Sequence, residues 1–396
     1  METTGSPVSL LLICFSYPPV LGGSEIEAQR VAAALRHRGH QVTVLCAGGD
    51  PMPPNSRWTD PFGTPVRIFG RSVPRKWRDH AFALGVMWSL LTMRYQVVYF
   101  LMQGLHLAAG LPVAKLLGKP VVMKVSGSSI ITMMGQSWLG RLELRWLRQW
   151  AQRVMILNPG MEAEAFAAGF RPEHLLWMPN PVDTDDFSPG SVAERQEFRE
   201  RNSIPLAAPM VLYVGRLAAE KELPSLLKAF AIVTRETPTA RLVLAGDGPD
   251  RATLEALAGQ LGITGQLYFL GRIPMDMVKG WLKASDVFAL VSSNEGFSCS
   301  LVEAMSTGLP SVVSDIPANT QLVENETHGL VTTLCDEQSI AQALLRLLSD
   351  PSLRKTLGTA SRRRVVENYS TEKVIDRYEA LFTEALTGVR ITSTPR

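Results

Sequence analysis

The sequence predicts an α/β protein made of two doubly wound, mainly parallel sheets in tandem. Three observations carry this. The chain has 396 residues and a mass of 43.5 kDa, more than one ordinary core holds at the usual domain size. Continuous apolar runs of strand length alternate with helix-period segments along it, as expected for strands buried on both faces of a parallel sheet. A fresh series of such runs starts at Met210, beyond the turn-forming stretches Asn180-Pro181-Val182-Asp183 and Ser188-Pro189-Gly190-Ser191, which mark the boundary.

The first half opens with a strand over Val8–Phe15, and the loop from Ser16 to Gly23 leads into a helical pattern over Ser24–Arg38. Ser24 suits the cap, Glu25 and Glu27 sit in the first turn, and Gly39 suits the stop. Gln41–Cys46 is the next strand, which completes a βαβ unit. Ala81–Met102, broken by Arg94, Tyr95 and Gln96, reads as a helix followed by a strand at Val97–Leu101. A helix around Ala108–Leu117, a strand at Pro120–Val125, a helix near Arg141–Trp150 and a strand at Val154–Leu157 follow. The second series has strands at Met210–Val214, Arg241–Ala245, Gln266–Leu270, Asp286–Leu290, Ser311–Ser314 and Gly329–Val331. Helical patterns at Glu222–Val233, Arg251–Leu261 and Ser298–Ser306 lie between them, and the last, Ser370–Leu386, lies beyond.

Composition narrows the class. A hydrophobic content of 46% excludes a disordered chain, and no run of roughly 18 uncharged apolar residues suggests a membrane span. The start carries Glu2 and no basic segment ahead of its apolar run, unlike a secretory signal. Cys14, Cys46, Cys299 and Cys335 lack metal-ligand spacing and suit buried thiols in a reducing cytoplasm. The net charge of +3 is too small to indicate nucleic acid. It divides unevenly: residues 1–188 carry 18 Lys+Arg against 13 Asp+Glu, and the remainder 22 against 24. Basic residues meet tryptophan in Arg75-Lys76-Trp77-Arg78 and among Arg141, Arg145, Trp146, Arg148 and Trp150. Such stretches suit either a solvated helix face with snorkelling stems, the commoner arrangement, or an anionic membrane surface.

Residues with chemical potential cluster at predicted strand ends. Glu295 and Gly296 follow a strand, where ligands of open α/β sheets bind, and a helix from Ser298 aims free N–H groups at the same place. Glu303 lies eight positions on. Two such carboxylates suit sugar hydroxyls, although an isolated pair reads more readily as a turn residue and a surface helix residue. Gly215, Arg216 and Lys221 follow another strand end and offer a tight turn, a planar fork for phosphate oxygens and a point charge; ordinary solvent exposure is the other reading. Gly246-Asp247-Gly248 is a third glycine turn, and Gly271-Arg272-Ile273 a weaker one. Gly22 and Gly23 join a strand to a helix N-terminus, without the spacing or the following acid of a nicotinamide-cofactor fingerprint.

Taken in order, Tyr17-Pro18-Pro19 with Gly22-Gly23-Ser24-Glu25, Pro179–Asp183, Gly215-Arg216-Leu217 with Lys221, Gly246–Pro249, and Glu295-Gly296-Phe297 through Glu303 to Pro310 resemble the retaining glycosyltransferases of family 4 over nearly the whole chain. The resemblance implies a GT-B fold, two facing Rossmann-like domains with an interdomain cleft. It implies an acceptor-side domain over 1–188, a donor domain over 189–369, and a final helix and tail over 370–396 that return to the first domain. It implies transfer of a sugar from a nucleotide diphosphate donor, UDP- or GDP-linked, to an acceptor hydroxyl of a glycan, glycolipid or small molecule, with the anomeric configuration retained. Arg216 and Lys221 would hold the diphosphate, and Glu303 the ribose. Glu295 and the backbone of Gly296, Phe297 and Ser298 would hold the sugar. Gly215, Gly246 and Asp247 would line the donor site, Ile273 would touch the base, and Gly22 and Gly23 would approach from the other wall.

Ser126 stands where many relatives carry a histidine near the reacting carbon, and the nearby His106 is a candidate substitute. A satisfied half-buried residue and a surface residue are its other readings. Lys221-Glu222 and Asn180-Pro181 replace Lys-Gly and Asn-Gly, and Ala318 an acid, without removing a functional charge. No Asp-x-Asp pair stands at a strand end, so metal independence is expected, with no cofactor beyond the nucleotide sugar. Localisation is expected to be cytoplasmic, with peripheral contact at the inner membrane face as one option. A nucleotide-sugar epimerase or hydrolase, or a non-catalytic nucleotide-sugar-binding protein, would use the same residues.

Overall fold

β1 (Ser9–Cys14) is the centre of the first sheet, because five of its six residues are apolar and buried. The computed structural model describes residues 6–20, 22–48, 52 and 56–389. These form two units, one running to Pro181 and resuming at Thr371, the other spanning Val182–Ser370. The change of unit after Pro181 corrects the boundary expected at 188: the turn-rich Ser188–Ser191 lies inside the second unit, where Ser191 caps a helix. The expected tail beyond 389, and positions 49–51 and 53–55 of the first-half loops, lie outside the described residues.

In unit 1, β1 is followed by α1 (Gly23–His37), β2 (Gln41–Ala47), β3 (Arg57–Thr59), β4 (Pro65–Phe69), α2 (Arg78–Thr92) and β5 (Val97–Leu101). Then come α3 (Leu105–Leu116), β6 (Val121–Lys124), α4 (Ile130–Gln136), α5 (Trp138–Trp150), β7 (Arg153–Ile156), α6 (Pro159–Ala167) and β8 (Leu175–Trp177). The sheet has eight strands in the order β3-β4-β2-β1-β5-β6-β7-β8. All pairs are parallel except β3 with β4. Local chemistry fixes several ends: Asn158 accepts from the Met161 N–H to cap α6, with Pro159 at its first position, and Ser137 accepts from the Gly140 N–H to cap α5.

Unit 2 contains α7 (Val192–Arg201), β9 (Met210–Val214), α8 (Leu223–Glu236), β10 (Arg241–Ala245), α9 (Arg251–Leu261), β11 (Leu267–Gly271) and α10 (Met275–Ala284). It continues with β12 (Val287–Leu290), α11 (Cys299–Ser306), β13 (Ser311–Ser314), α12 (Pro317–Thr320), β14 (Gly329–Thr332), α13 (Glu337–Ser349) and α14 (Pro351–Asn368). Its six strands are parallel in the order β11-β10-β9-β12-β13-β14, around a core that includes β9, β10 and β12 and the inner faces of α8 and α11. The thiols do not all lie inside as expected: Cys14 and Cys46 are buried, Cys299 is half-buried and Cys335 is exposed on a turn in the left-handed region.

The last helix, α15 (Thr371–Thr387), belongs to unit 1. It buries Val374, Ile375, Tyr378, Leu381 and Phe382 in the cluster that holds β1, β2 and β5. Polar contacts fix its position: Arg38 reaches Asp376 at 2.6 Å and Glu379 at 2.8 Å, and Arg153 reaches Glu384 at 2.8 Å. Beneath it lies a buried ion pair between Lys124, at the end of β6, and Glu27 of α1. Lys124 also donates to Asn180 Oδ1 at 2.8 Å and lies 3.4 Å from the Tyr378 hydroxyl, which is 3.1 Å from that of Tyr99. Burial pushes the Glu27 carboxyl above its usual range, against the lowering effect of Lys124. Breaking such a pair from one side strands a charge in the core. Lys124→Met should therefore cost unit 1 roughly 3–5 kcal/mol, and Glu27→Leu/Lys124→Met distinctly less. Urea unfolding of the two variants checks this, and equal losses would contradict it.

Candidate functional site

In unit 2 the chain winds outward from β9 through β10 to β11, then crosses to β12 on the other side of β9. The winding direction thus reverses between β9 and β12, and ligands of open α/β sheets bind at such a switch point, at the strands' carboxyl ends. The loop after β9 carries Gly215, Arg216 and a short turn at Ala219–Lys221, and the loop after β12 carries Glu295. The two are tied by backbone: the Ser293 N–H donates to the Glu220 carbonyl at 2.9 Å. Side chains then meet, with Lys221 Nζ donating to Glu295 Oε1 at 2.7 Å and Ser292 Oγ donating to the same oxygen at 2.8 Å. The side chains of Lys221 and Glu295 are only 16% and 9% exposed, so the pair is shielded far more than an ordinary surface bridge.

Residues that the sequence did not mark hold this pair in place. The Ser292 carbonyl accepts from Ser314 Oγ at the end of β13, and Asn319 Nδ2 donates to Ser314 Oγ at 3.1 Å. Asn319 Oδ1 is buried without a hydrogen-bond partner among the described residues. The only sequence signal for these three is a small polar residue just past an apolar run, which any loop would also show.

Two glycines set the backbone beside this pair. Gly246 has φ +149, and a Cβ there would stand 1.8 Å from the Gly215 carbonyl oxygen; one at Gly248 would stand 2.1 Å from that of Leu217. The Gly246 N–H donates to the Gly271 carbonyl at 2.9 Å and the Leu217 N–H to that of Asp247 at 3.0 Å. The ends of β9, β10 and β11 are thus locked backbone to backbone, in a conformation only glycine adopts cheaply. Tyr213 OH donates to the Arg216 carbonyl at 2.8 Å, and burial, then the charges of Glu295 and Glu220, push its phenol up. The Arg216 side chain is exposed, with no carboxylate at ion-pair distance among the described residues. Asp247 is exposed, and Ile273 is half-buried against the unit 2 core. Ser298 Oγ accepts from the Leu301 N–H and caps α11. Glu303 is buried in that helix, not on its surface, and the Phe297 ring lies 6.0 Å from that of Tyr369.

The other expected residues belong to unit 1, which reverses between β1 and β5. Gly22 caps α1 in an extended conformation. Glu25 folds back so closely that a Cβ at Gly22 would stand 2.2 Å from its Oε2, while Ser16 donates to its Oε1. A carboxylate of the helix's own first turn therefore already faces this N-terminus, while a Cβ at Gly23 would meet only open space. His106, expected as a catalytic group, is enclosed within unit 1. Its helix starts at Leu105, which places it inside α3, and its ring is buried among Phe82, Phe15 and Phe100 at centroid distances of 5.0, 6.4 and 6.4 Å. Burial lowers its pKa to about 4, partly offset by a hydrogen bond to the Met102 carbonyl, so it stays neutral and enclosed near neutral pH. Ser126 Oγ is enclosed without a hydrogen-bond partner among the described residues.

Two family models match, "Glycosyl transferases group 1" over residues 194–364 and "Glycosyl transferase 4-like domain" over residues 22–181. Alpha-D-kanosaminyltransferase of Streptomyces kanamyceticus is 27% identical over 279 residues, covering 68% of this chain and 72% of its own. N-acetyl-alpha-D-glucosaminyl L-malate synthase of Bacillus anthracis is 27% identical over 190 residues, 48% of this chain and about half (49%) of its own. Among solved structures, that of Anabaena HepE in complex with UDP and glucose superposes with a TM-score of 0.78 at 20% identity, over 95% of this chain and 100% of that one.

The enclosed histidine has a measurable consequence. Its pKa falls from 6.5 to about 4 on folding, so its contribution is fully present above pH 6.5 and is lost as pH drops toward 4. The loss amounts to roughly 3 kcal/mol. Urea unfolding across this window should show a shallower acid slope for His106→Phe than for the parent; identical slopes would contradict the enclosed, neutral ring.

Proposed function

Since this chain belongs to the group 1 glycosyl transferases and has the GT-B fold, we propose that it moves a sugar from a nucleoside diphosphate donor to an acceptor hydroxyl with the anomeric configuration retained. The observation that carries the reading is the shielded Lys221–Glu295–Ser292 constellation at the switch point of unit 2, beside the exposed Arg216. HepE, of the same fold, is in complex with UDP-glucose in one structure and with UDP in another, which supports a nucleotide-sugar donor here.

Departure of the nucleoside diphosphate builds negative charge on its oxygens. Arg216 supplies a planar fork for two of them, and Lys221, which spends one of its three N–H donors on Glu295, offers the others. Lys221, held by its contact with Glu295, stabilises the leaving group with little reorganisation. Arg216 and Lys221 also supply the charge that a divalent metal would otherwise bring. The Glu295 carboxylate suits the sugar hydroxyls, and the buried Glu303 suits the ribose diol. The C1–O bond to the phosphate breaks while the bond from the acceptor oxygen to C1 forms on the same face, and the acceptor's proton passes to the leaving phosphate oxygen. No side chain forms a covalent intermediate.

Arg216→Ala should weaken donor binding and turnover by about 1.5–3 kcal/mol, on the order of ten- to a hundredfold, in an assay of product formation that EDTA leaves unchanged. Unaltered turnover would remove the diphosphate role of Arg216, and loss of rate in EDTA would remove metal independence. Glu295→Gln preserves the shape of the contact with Lys221 and Ser292, so its melting temperature should stay close to the parent's while turnover falls at least about tenfold. Parental turnover would contradict a sugar contact at Glu295.

A further inference from the structure

The outward face of α2 carries a line of apolar side chains left exposed among the described residues. Trp77, just ahead of the helix, and Leu84, Trp88 and Leu91 within it are 52%, 65%, 65% and 60% exposed. Their spacing of seven, four and three residues places them along one side. The opposite side is apolar too, with Phe82, Val86 and Leu90 buried in the unit. From Ala81 on, α2 is therefore largely apolar on both sides yet covered on one only, and a contiguous exposed stripe of this kind marks an interaction surface. α3, which packs along α2, adds Leu116 and Leu117 at its end, 87% and 41% exposed.

The charges around the stripe identify its occupant. Arg75, Lys76 and Arg78 flank Trp77 at its start and Arg94 follows it, with Asp79 the one acid from 75 to 94. Tryptophan and leucine along a helix bracketed by cations match a lipid interface, where indoles sit at headgroup level and cations meet phosphates. A second copy of the chain fits less well, because two such faces would bring their basic ends together. α5 does not share the feature in the way its sequence suggests: Trp146 and Trp150 are half-buried and stacked on each other at 5.1 Å, and Arg148 is turned to the Ala168 carbonyl. Among the described residues no helix is long and apolar enough to cross a membrane, so the contact would be interfacial.

We propose that this face of α2 docks the protein on an anionic lipid bilayer, with Trp77, Leu84, Trp88 and Leu91 at the acyl boundary and Arg75, Lys76, Arg78 and Arg94 on headgroup phosphates. The proposal rests on exposure and charge, so it stands or falls independently of the donor chemistry. Flotation of the full-length protein with vesicles is the test, using phosphatidylcholine alone and phosphatidylcholine mixed with phosphatidylglycerol. The parent should float with the anionic vesicles only and with a blue-shifted tryptophan emission. Leu84→Ser/Trp88→Ser should partition at least about tenfold less with an unchanged melting temperature, and Arg75→Glu/Lys76→Glu should lose the preference for anionic lipid. Absence of the parent from anionic vesicles, or equal flotation of the serine variant, overturns the proposal. So does a parental dimer in sedimentation that the serine variant dissolves.

Discussion

A carboxylate at the end of a buried strand is tolerated only where its charge is answered, and in unit 2 the answer to Glu295 is Lys221 at 2.7 Å, with Ser292 at 2.8 Å. The rest of the site depends on this contact. It requires β9 and β12 to lie side by side, which their register of Val211 with Val287 and Leu212 with Phe288 provides. It also requires the turn at Ala219–Lys221 to stay against the loop after β12, which the Ser293–Glu220 backbone bond provides. The glycine contacts at Gly246 and Gly248 then bring the end of β10 up to the same loop. Backbone, cation and carboxylate are held together by contacts within the protein itself, which is the condition for electrostatic preorganisation.

Unit 1 uses the same pairing of lysine with glutamate at a strand end, to a different purpose. Glu27 and Lys124 are both almost wholly buried, and Asn180 and Tyr378 take up further hydrogen-bonding capacity of the lysine. That pair is closed, and its role is architectural. It joins α1, β6, the segment leading out of the unit and the helix that returns to it. The Lys221–Glu295 pair is partly open and rimmed by an exposed arginine. The difference lies in what surrounds each pair, not in the residues that form it.

Much of this was legible in the sequence, and the reason is physical. β5, β9, β10 and β13 coincide with the expected strands because a strand covered on both faces must be a continuous apolar run, and α9 runs between the expected ends. The glycine turns were legible because close backbone approach needs a particular residue type, whereas the paired glutamates took their reading from the family resemblance. Long-range relations were not. Lys124 reads as an ordinary strand-end lysine until Glu27, 97 positions earlier, is placed beside it. Ser292, Ser314 and Asn319 gain meaning only from one another, across three elements. His106 could be read as a site residue because its aromatic neighbours come from β1, α2 and β5 or their edges. The short β3 and the more exposed β4 lack a continuous apolar run, and the turn signal at Ser188–Ser191 marks a loop inside a unit instead of its edge.

In the proposed function the nucleotide end of the donor binds at the carboxyl ends of the unit 2 strands. Hydrogen–deuterium exchange of the full chain, with and without saturating nucleoside diphosphates, tests it most directly. At least one of UDP and GDP should protect amides of segments 215–221, 246–250 and 293–303 together. Protection confined to unit 1, or to the outer strands β13 and β14, would contradict it, as would saturable binding that protects no segment of unit 2.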